Sequence, residues 1–112
     1  MKKIEVVISA FKLEEIAEAL TEACIQGFTA TPVRDYRAEN AQRISYRGTS
    51  YTIDWSPKAK LEIVVADRDS ARVMAILERM RTSGRTGDGD IFLLPCEDTV
   101  RIRTGEISVA AL

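Results

Sequence analysis

The strongest constraint in this chain is a change of hydrophobic period that occurs twice. Residues Lys3–Ser9 alternate, with Ile4, Val6 and Ile8 facing one way and Glu5, Val7 and Ser9 the other, which predicts a half-buried strand. From Lys12 to Cys24 the apolar positions instead fall at Leu13, Ile16, Ala17, Leu20 and Cys24, the spacing of an amphipathic helix, with Gly27 as its expected stop. The same change recurs later. Lys60–Ala66 sets Leu61, Ile63 and Val65 against Glu62 and Val64, and Val73, Ile76, Leu77 and Met80 then form a helical stripe. Asp67 is the expected N-cap of that helix, with Asp69 in its first turn, Arg79 and Arg81 in its last turns and Gly84 at its end.

Three further runs read as strands: Phe28–Tyr36, with Pro32 arguing for an edge, Asp90–Leu94, and Thr99–Arg103. The order is β-α-β, a long connection, then β-α-β and a short extra strand. Two such halves give an α+β, ferredoxin-like βαββαβ sandwich, one domain over residues 1–112, with both helices on one sheet face. The opposite face still carries Val7, Val33 and Val64. A second copy of the chain is its simplest cover, so a homo-oligomer is expected.

The connection from Arg37 to Ser56 shows no sustained period and few aliphatic residues, and it holds Tyr46, Tyr51 and Trp55. A structureless connection of roughly 20 residues in a small domain is unusual and points to function. Composition narrows the classes. Hydrophobic residues make up 46% and charged residues 29%, and the net charge is −1 with no long charged block, so neither a nucleic-acid groove nor an anionic membrane surface is indicated. No stretch approaches the about 20 apolar residues of a membrane span, and a cytoplasmic protein is expected. Histidine is absent, which removes His-based nucleophilic catalysis and His-ligated metals. Cys24 and Cys96 lack a CxxC spacing and read as buried, reduced thiols.

Two segments could hold an anion. Ser83–Asp90, with Gly84, Gly87 and Gly89, reads as a backbone anion nest or as an ordinary helix-to-strand turn. Arg101 and Arg103, two apart on the expected last strand, would share a face and present paired guanidinium forks, or would pair with Glu97 or Asp98 on a solvated face. Tyr46 and Tyr51 read either as sites of partner contact or modification or as loop aromatics packing on the loop's own base.

In register over the whole chain, MKKIE, FKLEEI, IQGFTAT, YRG with Tyr51, PKAKLEIVVAD, the Gly87-Asp88-Gly89 turn and RIRTGE resemble the P-II nitrogen-regulatory proteins. The resemblance implies a homotrimer of ferredoxin-like subunits, a regulator rather than an enzyme, with adenine nucleotides (ATP, ADP or AMP) bound between subunits. It implies a nucleotide set of Thr29, Val64, Gly87, Asp88, Gly89, Asp90, Arg101 and Arg103, with which Arg37 is counted. It also implies that residues 37–56 form the T-loop, which docks on a target transporter or enzyme, and that residues 104–112 are the C-terminal tail. Magnesium and 2-oxoglutarate would sit at the loop base, at Glu39 and Lys58. Tyr51 matches a tyrosine that is uridylylated in some members. A divergent sensor of another small anion or of metal stress, or a small ferredoxin-like enzyme acting on a phosphoryl or acyl group, would be the rival readings.

The departures cluster at the ligand end. Asp90 stands where the family has a basic residue, Asp35, Arg37 and Ala41 where it has glycines, and Glu39 where it has a metal-binding glutamine. At a protein surface, unit charges 4 Å apart interact by about 4 kcal/mol, enough to change ligand preference. The changes predict weak or absent 2-oxoglutarate binding and a preference for ADP or AMP over magnesium-ATP. YRGTSY replaces the usual YRGAEY around Tyr51.

Overall fold

The N-terminal alternation becomes strand β1 (Lys2–Ser9), in which Ile4, Val6 and Ile8 are buried and the residues between them are not. The computed structural model describes residues 1–37, 43–46, 49–80 and 90–112, and for 36–37, 43–46 and 49–56 it describes the backbone alone. A 3-10 turn, Ala10–Lys12, leads into helix α1 (Leu13–Glu22), which buries Ile16 and Leu20.

Helix α1 does not run to Cys24 and Gly27 does not stop it. Cys24 itself takes a left-handed backbone angle, φ 63°. Its N–H donates to the Thr21 carbonyl at 3.0 Å, and the Ile25 N–H donates to the Leu20 carbonyl at 2.9 Å. These are the two bonds of a Schellman cap, and Ile25 packs back on the core that holds Leu20, as that motif favours. One consequence is that Cys24 is exposed, contrary to the buried thiol expected from its apolar spacing; Cys96 is half-buried.

Strand β2 (Thr29–Arg37) follows. Next come β3 (Arg43–Tyr46) and the long β4 (Thr49–Val65). Helix α2 (Asp67–Arg79) buries Val73, Ile76 and Leu77, and β5 is Ile91–Pro95. All strand pairs are antiparallel, in the order β2-β4-β1-β5, with β3 added to β4. This is the ferredoxin-like arrangement. The edge position of β2 accommodates Pro32, which has no N–H to donate. Central strands β1 and β4 supply Ile4, Leu61 and Ile63, none of them accessible to solvent, to a core closed by the two helices.

Two expectations need correction. Asp67 is not the N-cap: that position is Ala66, with no side-chain cap, and the Asp67 carboxylate instead meets the Met1 ammonium at 3.0 Å. The Thr99–Arg103 run is not a strand. Only the bridge Val100↔Ile107 forms there, and the chain reverses between these residues. The expected helix positions Arg81 and Gly84 lie outside the described residues.

The stretch expected to lack regular structure does not lack it in its described part. Residues 49–57 continue β4 beyond the last residue that β1 pairs, Lys58. Arg37 of β2 pairs with Thr52 on one edge, and Arg43 of β3 pairs with Thr52 on the other. At about 3.3 Å per residue this ribbon projects roughly 30 Å from the core. The radius of gyration is 16.2 Å and the long dimension 50 Å, against about 13 Å expected for the radius of a compact domain of this length.

Candidate functional site

The face of the sheet away from the helices is built from Lys3, Glu5, Lys60 and Glu62, surrounded by half-buried or exposed Val7, Val33, Val64, Phe92 and Leu94. Lys3 Nζ lies 2.9 Å from Glu62 and 3.1 Å from Glu5, and Lys60 Nζ lies 3.7 Å from Glu5 and 4.0 Å from Glu62. Hydrogen bonding to Lys3, with its charge, holds the Glu62 carboxyl below the usual carboxylate range, and the same bonds raise the Lys3 ammonium. The four charges sum to zero.

At one end of this face an open cleft of about 590 Å³ forms between the α1–β2 connection, the end of β4, the start of α2 and the C-terminal segment. Thr29, Val64, Arg68, Asp69, Arg101 and Leu112 are among the residues lining it. Its lining combines apolar residues such as Val64 and Leu112 with the guanidinium groups of Arg68 and Arg101 and the carboxylates of Glu62 and Asp69, a mixture able to take an apolar ring together with an anion.

Arg101 is placed by a tight turn. Its carbonyl accepts from the Gly105 N–H at 2.7 Å, and its own N–H donates to the Glu106 carbonyl at 2.8 Å. Gly105 has φ 74°, a conformation that side chains resist, so a glycine is required there. The Thr104 hydroxyl donates to Glu106 Oε1 at 2.9 Å and closes the turn. The Arg101 guanidinium donates to the Ala111 carbonyl from Nη2 at 2.9 Å and Nε at 3.2 Å.

Of the residues singled out in the sequence, Thr29, Val64 and Arg101 come together in this cleft. Arg103 is exposed in the turn and is not among the lining residues, because a turn does not place residues two apart on one face as a strand would. Asp90 is exposed before β5, and Lys58 is buried in β4 beside Ser9 and Val33; neither lines the cleft. Arg37 and Tyr51 lie on the projecting ribbon, described by backbone alone. Glu39, Gly87, Asp88 and Gly89 lie outside the described residues, as does the Arg47-Gly48 pair. Arg68 and Asp69, at the start of α2, and the tail residues Ala111 and Leu112 were not foreseen; no motif marks them. Among the described residues no cluster of Cys, Asp and Glu suits a metal, and no helix is long and apolar enough to cross a membrane.

Comparison with known proteins agrees over the whole chain. A family model described as Nitrogen regulatory protein P-II matches residues 1–106. A Nitrogen regulatory protein P-II of Rhizobium meliloti is 41% identical over 112 residues, the full length of both chains. One from Cereibacter sphaeroides is 46% identical over 107 residues, 95% of each chain. Nitrogen regulatory protein GlnK of Escherichia coli K12 is 38% identical over the full length of both. These relatives are named as regulatory proteins, not enzymes. With its fold and its full-length identity to such regulators, the chain belongs to the nitrogen regulatory protein P-II family and is a regulatory, signal-transducing protein.

Proposed function

We propose that this protein is a homotrimeric signal transducer that binds adenine nucleotides between subunits and controls a transporter or a nitrogen-metabolism enzyme in the cytoplasm through residues 37–56. The observation that carries the reading is the cleft in which Thr29, Val64 and the Arg101 guanidinium converge. Thr29 and Val64 would hold the base and Arg101 the phosphates; Arg103, Asp90 and the Gly87–Gly89 turn would complete a neighbouring subunit's share. A cleft shared between subunits would explain why one chain gathers only part of the set.

The open sheet face supports assembly. It carries Phe92, 58% exposed, and Leu94, 38% exposed, around the Lys3, Glu5, Lys60 and Glu62 quartet. A balanced quartet can be covered without leaving a single charge unpaired, the arrangement that makes burial of charge tolerable. The projecting ribbon of β2, β3 and β4 supports a docking role for the arm, with Tyr51 on it as the residue that would accept a nucleotidyl group.

A magnesium ion, if it accompanies a nucleotide, is held through one or two carboxylates plus phosphate oxygens. Glu39 would be its carboxylate. That residue lies outside the described residues. Asp90 and Glu39 would bring negative charge to where the family resemblance puts phosphates and a dicarboxylate, which would favour ADP or AMP over ATP and disfavour 2-oxoglutarate.

Calorimetric titration tests the reading. ADP and AMP are expected to bind saturably, 2-oxoglutarate to leave ATP affinity unchanged, and Arg101→Ala to weaken ADP binding by at least about tenfold, as for a charge-assisted phosphate bond. Absence of heat with ATP, ADP and AMP would remove the nucleotide assignment, and 2-oxoglutarate-enhanced ATP binding would remove the altered preference.

A further inference from the structure

We propose that residues 108–111 act as a built-in competitor for the cleft, holding Arg101 until a phosphate takes it. The proposal rests on the nucleotide reading above and concerns how that site is regulated. Both guanidinium nitrogens of Arg101 that face the tail, Nη2 and Nε, donate to one acceptor, the Ala111 carbonyl. The planar fork that would serve a phosphate is thus already engaged, by a neutral oxygen of the same chain. A phosphate is the stronger acceptor because its charge assists both bonds. Exchange therefore favours the ligand, but its affinity is reduced by what the tail gives up.

The tail is fastened at a second point, outside the cleft. The Ser108 N–H donates to the Thr99 carbonyl at 2.8 Å and to Asp98 Oδ1 at 3.0 Å. The Thr99 hydroxyl donates in turn to the Ser108 carbonyl at 3.1 Å. From there the 3-10 turn Ser108–Ala111 carries Val109 and Ala111 to the cleft, where they line it beside Thr29 and Val64, the residues assigned to the base. Apolar tail atoms and the Arg101 clasp therefore both border the space that a nucleotide needs.

Ser108 has φ 58°, in the left-handed region that non-glycine residues avoid. This conformation opposes the fastening and leaves the closed tail nearer to release. The ledger thus sets two Arg101 bonds and the Asp98 latch against one strained residue and a stronger incoming acceptor. That is the balance expected of a strap that opens on binding, rather than of a fixed wall.

The test titrates ADP into three proteins: the intact chain, a chain ending at Ile107, and Asp98→Ala, which removes one of the bonds that fasten the tail while keeping every residue that lines the cleft. The shortened chain is expected to bind ADP about fivefold more tightly than the intact chain and Asp98→Ala about twofold more tightly, the scale of losing competing hydrogen bonds. Hydrogen exchange at the Ser108 amide is expected to quicken when ADP saturates the intact chain. Equal or weaker ADP binding in both altered proteins, or an amide better protected with ADP, would overturn the strap and make the tail a wall of the site. Failure of all three proteins to bind ADP would overturn the nucleotide reading instead, and the strap with it.

Discussion

Cys24 occupies a backbone angle that side chains avoid, at the point where helix α1 must end. A non-glycine residue held left-handed costs about 1–2 kcal/mol, while a glycine adds about 0.4–1 kcal/mol of unfolded-chain entropy. Cys24→Gly is therefore expected to stabilise the protein by about 0.5 kcal/mol, read as a higher urea midpoint without ligand. Periodicity could not reveal this. Cys24 fits the helical stripe, and only the Thr21 and Leu20 carbonyl bonds show that the chain has already turned. Asp67 misled in a similar way. An aspartate before an apolar stripe reads as an N-cap, but the antiparallel β1–β4 pairing sets Lys2 against Val65 and so delivers the Met1 ammonium to it. The hydrogen bond and then the charge of that ammonium hold the Asp67 carboxyl below the usual carboxylate range. A depressed carboxyl stabilises the fold above about pH 4, and the benefit fades as pH falls through its lowered value. Asp67→Asn should lower Tm slightly at neutral pH, since the carboxylate is 70% exposed. Once the pH has fallen below that lowered value, its melting curve should match that of the unaltered protein.

The elements with a strong period were legible: β1, α1, the core half of β4, and α2 each bury the centre of the stripe that their sequence spells out, Ile16 and Leu20 in α1 and Val73, Ile76 and Leu77 in α2. The outer half of β4 was missed, because it was read as part of a connection without regular structure. Tyr51, Ile53 and Trp55 alternate with Thr52, Asp54 and Ser56, and aromatic and threonine residues favour strands, but with so few aliphatic residues the pattern resembles a loop. The RIRTGE segment erred in the other direction. Its alternation suggests a strand, yet Gly105 and the Thr104–Glu106 bond fold it into a turn and separate Arg101 from Arg103. One long-range tie had no sequence signal at all. The Lys12 ammonium, ahead of α1, donates to the Met80 carbonyl just past α2, joining the two helices where exposed carbonyls favour a cation. Lys12→Met keeps the apolar stem and removes the bond. It should cost about 1–2 kcal/mol in chemical unfolding, and an unchanged midpoint would mean that the tie contributes nothing.

At the scale of the whole molecule, three features become one device: a sheet face left open, a cleft at its end, and a ribbon that projects beyond the core along β2 and β4. β4 runs through all three, since Glu62 lies on the open face, Val64 lines the cleft and Tyr51 is on the ribbon. On the proposed reading, a ligand that moves the end of β4 would act on the strand that carries the proposed docking arm, the coupling a signal transducer needs. Of the cleft, Thr29, Val64 and Arg101 could be read from the sequence because a family resemblance marks them. Arg68, Asp69 and the tail could not, because only the closing of α2 and the Arg101–Ala111 clasp bring them there. Native mass spectrometry with ADP tests assembly and ligand together. A trimer carrying one nucleotide per subunit at saturation is expected; a monomer, or a trimer that takes up no nucleotide, would contradict the proposed function.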